Sequence, residues 1–109
     1  MELWIRSQDG KIISKETELW IRDGVENGRV YKSEEELKKE RWEIWGYYHL
    51  LGCYESEERA LEILDEIQTA ITYCSCNLPE EIEEIKKKIK SAIVMNLRTN
   101  GMVYKMPEV

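Results

Sequence analysis

Residues Ser56–Tyr73, SEERALEILDEIQTAITY, carry the strongest periodic pattern in the chain. Apolar side chains recur there at three- and four-residue spacings, which places them along one side of an α-helix. They are Ala60, Leu61, Ile63, Leu64, Ile67, Ala70 and Ile71. Ser56 is a suitable N-cap, because its hydroxyl can accept a hydrogen bond from a free amide of the first turn. The pattern predicts a helix with one buried side, against which the rest of the chain must pack.

The region before this helix has the alternation of β-strands. The tetrapeptide LWIR occurs twice, at Leu3–Arg6 and at Leu19–Arg22, and in each copy the aliphatic residues face one way and Trp and Arg the other. Between the copies, Ser7–Lys11 contains Asp9-Gly10, a pair typical of a hairpin turn. Ile12 and Ile13 are expected to open a short second strand.

The stretch from residue 33 to residue 54 joins these strands to the helix. Ser33–Glu40, SEEELKKE, has a single apolar anchor and is predicted as a charged loop or one exposed helical turn. Arg41–Tyr54 is rich in aromatic and β-branched residues, which indicates a buried strand with a bend or bulge at Gly46 or Gly52.

A second helix is expected after the first. Pro79 suits its first turn, where the missing amide proton does no harm, and Ile82, Ile85, Ile89, Ala92 and Ile93 repeat at helical spacing. Gly101 is a natural C-terminal cap. Met102–Met106 alternates and is predicted as a last strand, stopped by Pro107.

These elements predict an α+β fold in one domain, residues 1–109. Its expected parts are an N-terminal antiparallel sheet of four or five strands over residues 1–54, a hairpin of two long helices over residues 56–97, and a terminal strand over residues 102–106. The aliphatic face of the sheet should pack on the helices, and the terminal strand should return to the sheet's edge.

Bulk composition narrows the function classes. The formal net charge is −6, which argues against nucleic-acid binding because phosphates would be repelled. No apolar run approaches the length of a membrane span, and the charged N-terminus lacks the apolar core of a signal peptide. The three cysteines form no disulfide framework, which suits a reducing compartment. We therefore expect a cytosolic protein without membrane partners.

Catalytic patterns are sparse, so we predict no enzyme and no cofactor. His49 is the single histidine and has no placed nucleophile beside it. Phosphate-cradling motifs such as GxxxxGK and GxGxxG do not occur in the sequence. His49, Cys53, Cys74 and Cys76 are donor types that zinc accepts, but a CxC pair pinches two ligands, so no metal is predicted. The carboxylates of Glu80, Glu81, Glu83 and Glu84 fit a solvated helix face.

The second face of the predicted sheet is the candidate functional surface. If Leu3, Ile5, Leu19 and Ile21 face the helices, then Trp4, Arg6, Trp20 and Arg22 face away from them. An exposed patch of this kind indicates an interface, and Trp with Arg suits two different partners. One is a second subunit, where these residues are common hot spots. The other is an anionic ligand with a base, on which a ring stacks while guanidinium groups take phosphate.

Three segments together give a family resemblance. LWIRSQDGK at the start, LGCYESEERALEILDEIQ over Leu51–Gln68 and the ending NGMVYKMPEV resemble small phage and prophage proteins of Gram-positive bacteria, more specifically the anti-Thoeris signal sponges. The resemblance implies an N-terminal antiparallel sheet followed by long helices, and assembly into dimers or higher homo-oligomers. It also implies binding of cyclic ADP-ribose-type signals, made by a TIR-domain immune sensor, without cleaving them.

For the binding residues, the resemblance points to Arg98 with Thr99, next to Asn100. The family has an arginine followed by an acidic residue at this place, whereas Thr99 stands here. The leading hypothesis is thus a counter-defence sponge that holds a cyclic nucleotide between subunits, on Arg98 and on Arg6 or Arg22. The alternative is an acidic protein that inhibits a host defence nuclease or another host protein through Glu34–Glu36 and the glutamates of residues 80–84. A nucleotide-processing enzyme is a third reading.

Overall fold

The structure, a computed structural model, describes residues 2–16, 18–75, 93–96 and 101–109. The strands are β1 (Glu2–Arg6), β2 (Ile13–Ser14), β3 (Trp20–Asp23), β4 (Trp42–Trp45), β5 (Leu50–Tyr54), β6 (Ile93–Asn96) and β7 (Gly101–Lys105). The helices are α1 (Glu34–Glu40) and α2 (Glu57–Ser75). The α+β class is confirmed.

The strands form two sheets, and the prediction of one N-terminal antiparallel sheet is wrong. The first sheet has the order β2-β1-β7-β6, and the second has the order β3-β4-β5. The two LWIR copies therefore lie in different sheets. The reason is the pairing of neighbouring segments. Residues Trp42–Tyr54 fold into an antiparallel hairpin of β4 and β5, and β3 pairs with β4, matching Trp20 with Trp45.

The terminal strand lies inside its sheet and not at the predicted edge. β7 pairs in parallel with β1, matching Glu2 with Gly101 and Arg6 with Lys105, and pairs antiparallel with β6 on its other side. Tyr104 and the following Met106 are fully buried. The last residues of the chain thus contribute directly to the core.

Helix α2 confirms the strongest sequence pattern. Ser56 caps it, since its Oγ accepts from Arg59 N at 3.1 Å. The fully buried side chains recur at helical spacing, at Ala60, Ile63, Ile67 and Ala70. The buried stripe is narrower than predicted, because Leu61 and Ile71 are 48% and 46% exposed.

The predicted helical hairpin over residues 56–97 needs correction at its far end. Residues 93–96 are strand β6, whose Ile93 and Val94 pair with Tyr104 and Val103. β-branched residues beside a ready strand partner favour the ladder over a last helical turn. The rest of the predicted second helix lies outside the described residues.

Among the described residues the other helix is α1, the charged segment for which a loop or a single exposed turn was predicted. Ser33 caps this helix, accepting from Glu36 N at 3.1 Å. Glu34, Glu35 and Glu36 lie in its first turn, and basic residues lie in its last turn. That arrangement complements the helix dipole at both ends and stabilises a short helix with no buried residue.

The segment Arg41–Tyr54 is two strands and not the single strand that was predicted. The chain bends at Gly46, which is one of the two positions predicted for a bend. There Gly46 N donates to His49 O at 2.8 Å. Tyr47 and Tyr48 therefore project from a hairpin tip, at 58% and 78% exposure.

Gln8 joins the two sheets. Its backbone N donates to Leu51 O at 2.7 Å, and its side-chain Oε1 accepts from Cys53 N at 2.8 Å. Its Nε2 donates to Cys53 O at 3.0 Å and to Glu108 O at 2.7 Å. One residue in the turn that follows β1 thus pairs with the edge of β5 as a strand would.

Replacement of Gln8 by Ala is expected to destabilise the protein by about 2 kcal/mol, because a nearly buried peptide group at Cys53 loses its partners. The midpoint of thermal unfolding should fall by roughly 10 °C for a domain of this size. Gln68→Ala, on the exposed side of α2, is the matched control. Equal midpoints for both variants would show that Gln8 does not join the sheets energetically.

Candidate functional site

The predicted Trp/Arg face is not one surface. Arg6 and Trp4 are in β1, whereas Trp20 and Arg22 are in β3, so the two pairs belong to different sheets. The arginines are exposed, but both tryptophans are partly buried and do not form the predicted solvent-facing patch. Trp4 Nε1 is buried and has no hydrogen-bond partner within the described part of the chain.

Of the seven predicted binding residues, Arg22 is the one that lines a cleft in the described part of the chain. The Arg6 side chain instead contacts the turn that follows β1, where its Nη1 donates to Gly10 O at 3.2 Å. Arg98, Thr99 and Asn100 lie outside the described residues.

The cleft beside Arg22 lies where the edge of β3 meets the start of α2, and its volume is about 530 Å³. Its lining residues are Ile21, Arg22, Asp23, Glu26, Asn27, Trp42 and Glu57. A volume of this size lies within the range of small-molecule sites. The lining residues include one Trp, one Arg, one Asn and three acidic residues. Arg22 pairs with Glu43 and Asp23 pairs with Trp42, so the side chains of Arg22 and Trp42 project from opposite faces of the sheet and the cleft extends around the β3 edge.

Asp23 is held by Arg41 at the rim of this cleft. Arg41 Nε donates to Asp23 Oδ1 at 3.0 Å and Arg41 Nη2 donates to Oδ2 at 2.8 Å. This two-point contact lowers the pKa of the Asp23 carboxyl, helped by the backbone amide of Val25. The same guanidinium lies 5.7 Å from the centre of the Trp42 ring. The charge of Asp23 is thereby balanced by Arg41, and the same guanidinium packs against the Trp42 ring.

Glu43 is a buried carboxylate behind the cleft. It is 2% exposed and accepts from Trp45 Nε1 at 3.1 Å and from Asn27 Nδ2 at 3.3 Å. Arg29 Nη1 lies 3.7 Å from its other oxygen. A buried charge needs such partners, so this network positions the Asn27 amide at the cleft. The sequence signal that we missed is an acidic residue between two tryptophans of a strand.

Arg29 also reaches a second polar cluster on the far side of Glu43. Its Nη1 donates to Cys53 Sγ at 2.9 Å, and its Nη2 contacts Glu40 Oε2 at 3.0 Å. Burial raises the pKa of the Cys53 thiol, while Arg29 opposes that rise. Since the net direction is upward, Cys53 is a protonated thiol at neutral pH and a poor nucleophile.

A second cleft, of about 560 Å³, opens over Cys53. It is lined by Gln8, Lys39, Glu40, Cys53, Glu55, Arg59, Glu108 and Val109. Several of its groups already have partners within the fold, since Arg59 donates to Val109 O and Gln8 donates to Glu108 O. This cleft therefore serves to hold the chain's last residues in place.

Of the four donors considered for zinc, Cys76 lies outside the described residues. His49 is exposed at the hairpin tip, whereas Cys53 is buried. Among the described residues, no group of three or more His, Cys, Asp or Glu is arranged to hold a metal ion.

Comparison with known proteins gives no relative. No family model, curated protein or solved structure matches this chain. In the described residues, no helix combines the length and the apolar character needed to cross a bilayer.

Asp23→Asn tests the rim of the cleft through its pH dependence. Because the Asp23 pKa is lower in the folded than in the unfolded protein, ionised Asp23 stabilises the fold above the unfolded value, near pH 4. We expect the variant to unfold at a lower temperature than wild type at pH 7. The difference should shrink as the pH falls below 4, since wild-type Asp23 then becomes protonated.

The matched control is Glu26→Gln, which removes a charge from the same cleft, since Glu26 takes part in none of the ion pairs given for the described residues. If the difference in unfolding temperature between wild type and Asp23→Asn did not change with pH, the assigned contact between Asp23 and Arg41 would be contradicted.

Proposed function

We propose that this protein is a non-catalytic phage or prophage counter-defence protein. It acts in the bacterial cytosol as a homo-oligomer and sequesters a cyclic nucleotide immune signal of the cyclic ADP-ribose type. The observation that carries the proposal is the Arg22–Trp42 cleft, an opening of suitable size at the β3 edge whose lining residues include an arginine and a tryptophan. The resemblance to the anti-Thoeris sponges supplies the ligand class.

The lining offers a contact for each part of such a ligand. The exposed guanidinium of Arg22 suits a phosphate, and the Trp42 ring is a stacking surface for the base. The Asn27 amide, held by Glu43, can pair with a base edge. Glu26 and Glu57 suit ribose hydroxyls, which donate to carboxylates in other dinucleotide sites.

Charge decides the orientation of the ligand in the cleft. Asp23 is paired with Arg41, but Glu26 and Glu57 line the cleft and repel phosphate. The phosphates therefore belong at the Arg22 end, with the ribose units toward Glu26 and Glu57. Arg98, Thr99 and Asn100 are added as ligand contacts on the resemblance alone.

Sequestration requires binding without turnover. Inhibition by mass action needs a protein concentration above that of the signal and a dissociation constant below it. No acid, base or nucleophile is required, and the protonated Cys53 thiol beside Arg29 fits this requirement.

Arg22→Ala is expected to weaken the binding of cyclic ADP-ribose about tenfold or more, because a charge-assisted contact to phosphate is lost. The dissociation constant is measured by isothermal titration calorimetry with a panel of cyclic ADP-ribose isomers. Arg6→Ala is the matched control, since Arg6 is an exposed arginine in the other sheet and should leave the affinity unchanged. Recovery of intact ligand by mass spectrometry tests the absence of turnover.

Three results would refute the proposal. They are no binding of any isomer by the wild-type protein, conversion of the ligand during incubation, or an equal loss of affinity in Arg22→Ala and Arg6→Ala.

A second function, binding and inhibition of a host protein, is favoured by the hairpin tip. Tyr47 and Tyr48 are exposed there, with ring centres 4.3 Å apart in an edge-to-face arrangement. Tyrosine is enriched in binding hot spots. Glu34–Glu36, in the first turn of α1, would supply the charge expected of an inhibitor that enters a basic cleft of a defence nuclease.

The Tyr47→Ser/Tyr48→Ser double variant tests this function. Inhibition of a purified defence nuclease should fall about tenfold or more, because two exposed aromatic anchors are removed. Val30→Ser is the control, since Val30 is 87% exposed and lies outside the tip. An inhibition constant that the double variant leaves unchanged would remove the tip from consideration.

A further inference from the structure

Strand β3 is an edge of the three-stranded sheet, and its outer side is unpaired in the described part of the chain. The sheet order is β3-β4-β5. The opposite edge, β5, is covered by Gln8, which bonds to the backbone of Leu51 and Cys53. None of the turn and loop backbone hydrogen bonds among the described residues reaches Trp20, Ile21 or Arg22.

The pairing with β4 fixes which backbone groups of β3 point outward. Gly24 N donates to Arg41 O at 2.7 Å, which continues the register that pairs Trp20 with Trp45 and Arg22 with Glu43. Hydrogen-bonded pairs alternate along an antiparallel ladder, so Trp20 and Arg22 direct their N–H and C=O groups toward β4. Ile21 directs its groups outward, and the same alternation continued to Leu19, just before the strand, directs the groups of Leu19 outward as well.

We propose that this edge binds a second copy of the chain. The two β3 strands lie antiparallel across a twofold axis at Trp20, and the two sheets join into one of six strands. Ile21 N–H donates to Leu19 C=O of the second copy, and Leu19 N–H donates to the second copy's Ile21 C=O. The symmetry repeats both bonds, so the outward groups of both strands are satisfied.

Charge selects this register over its neighbours. Centring the axis on Trp20 places Glu18 opposite Arg22 of the other copy, twice by symmetry. Centring it on Arg22 would oppose two guanidinium groups, and centring it on Ile21 would oppose Asp23 and Leu19. Glu18 and Arg22 are both exposed, and directly opposed unlike charges stabilise a strand pair.

The side chains fit the same arrangement. Trp20 opposes its own copy at a non-hydrogen-bonded position, where side chains approach most closely, and the partly buried ring would become covered. Leu19 and Ile21, which pack against the core, face the other way and extend the apolar side of the sheet. The partner is therefore the same segment, because one sequence supplies both the charge pair and the aromatic centre. This is an isologous interface.

The interface rests on the proposed function in that it names the contact of the homo-oligomer, but it does not depend on the ligand site: a monomeric wild type that still binds the ligand would overturn the interface and leave the ligand site standing. Ile21, Arg22 and Asp23 also line the cleft, so the second copy would stand along one side of that opening. Glu18 does not line the cleft. A Glu18 variant therefore tests the interface while leaving every cleft residue in place.

Sedimentation equilibrium of ligand-free protein tests the proposal through a charge swap. Wild type should be a dimer at tens of micromolar. Glu18→Arg and Arg22→Glu should each weaken dimerisation about tenfold or more, because both symmetric pairs become repulsive. The double variant Glu18→Arg/Arg22→Glu restores unlike charges and should return to within about threefold of wild type.

Glu35→Arg, an equal charge change on the exposed side of α1, should leave the dimer intact. Matching far-ultraviolet circular dichroism spectra exclude misfolding of the variants. A monomeric wild type, a dimer indifferent to either single change, or a double variant as weak as the single ones would each overturn the proposal. Monomeric wild type would mean that the charges at Glu18 and Arg22 only protect an open edge from pairing.

Discussion

The arrangement of the two sheets depends on the side-chain amide of Gln8. An amide has one acceptor and two donors, and here it reproduces the N–H and C=O pattern of a neighbouring strand along Cys53 while also binding Glu108 O. The edge of β5 is thereby closed, β1 is tied to the hairpin of β4 and β5, and the last residues are fastened to both. Helix α2 then packs against a surface to which both sheets contribute.

The second constraint is the buried charge of Glu43. Because a carboxylate with 2% exposure needs hydrogen-bond donors, the loop that carries Asn27 and Arg29 is drawn onto the outer face of β4. That loop forms one side of the Arg22–Trp42 cleft, and it also brings Arg29 to Cys53. The position of the candidate ligand site is therefore a consequence of satisfying one acidic side chain.

Local signals in the sequence predicted local structure well. The spacing of apolar residues and the Ser56 cap identified α2, and Asp9-Gly10 identified the first turn, where Gly10 has a φ of 76°. Partners distant in sequence escaped prediction, since the pairing of β1 with β7 has no local signature and Ile93 fits a helical spacing as well as a strand. Of the candidate site, Arg22 was predicted, whereas Trp42, Asn27 and Glu57 come together only through the folded chain.

The parallel pairing of β1 with β7 has a consequence for synthesis. Strand β1 emerges from the ribosome well before its neighbour, Gly101–Lys105, which follows after roughly ten seconds at ordinary rates of translation. Until then β2, with two residues, is the one described strand beside β1, and Ile5, almost fully buried in the finished fold, lacks the cover of Tyr104 and Met106. The core therefore closes late, and a nascent chain interrupted before residue 101 would expose an apolar strand to chaperones and proteases.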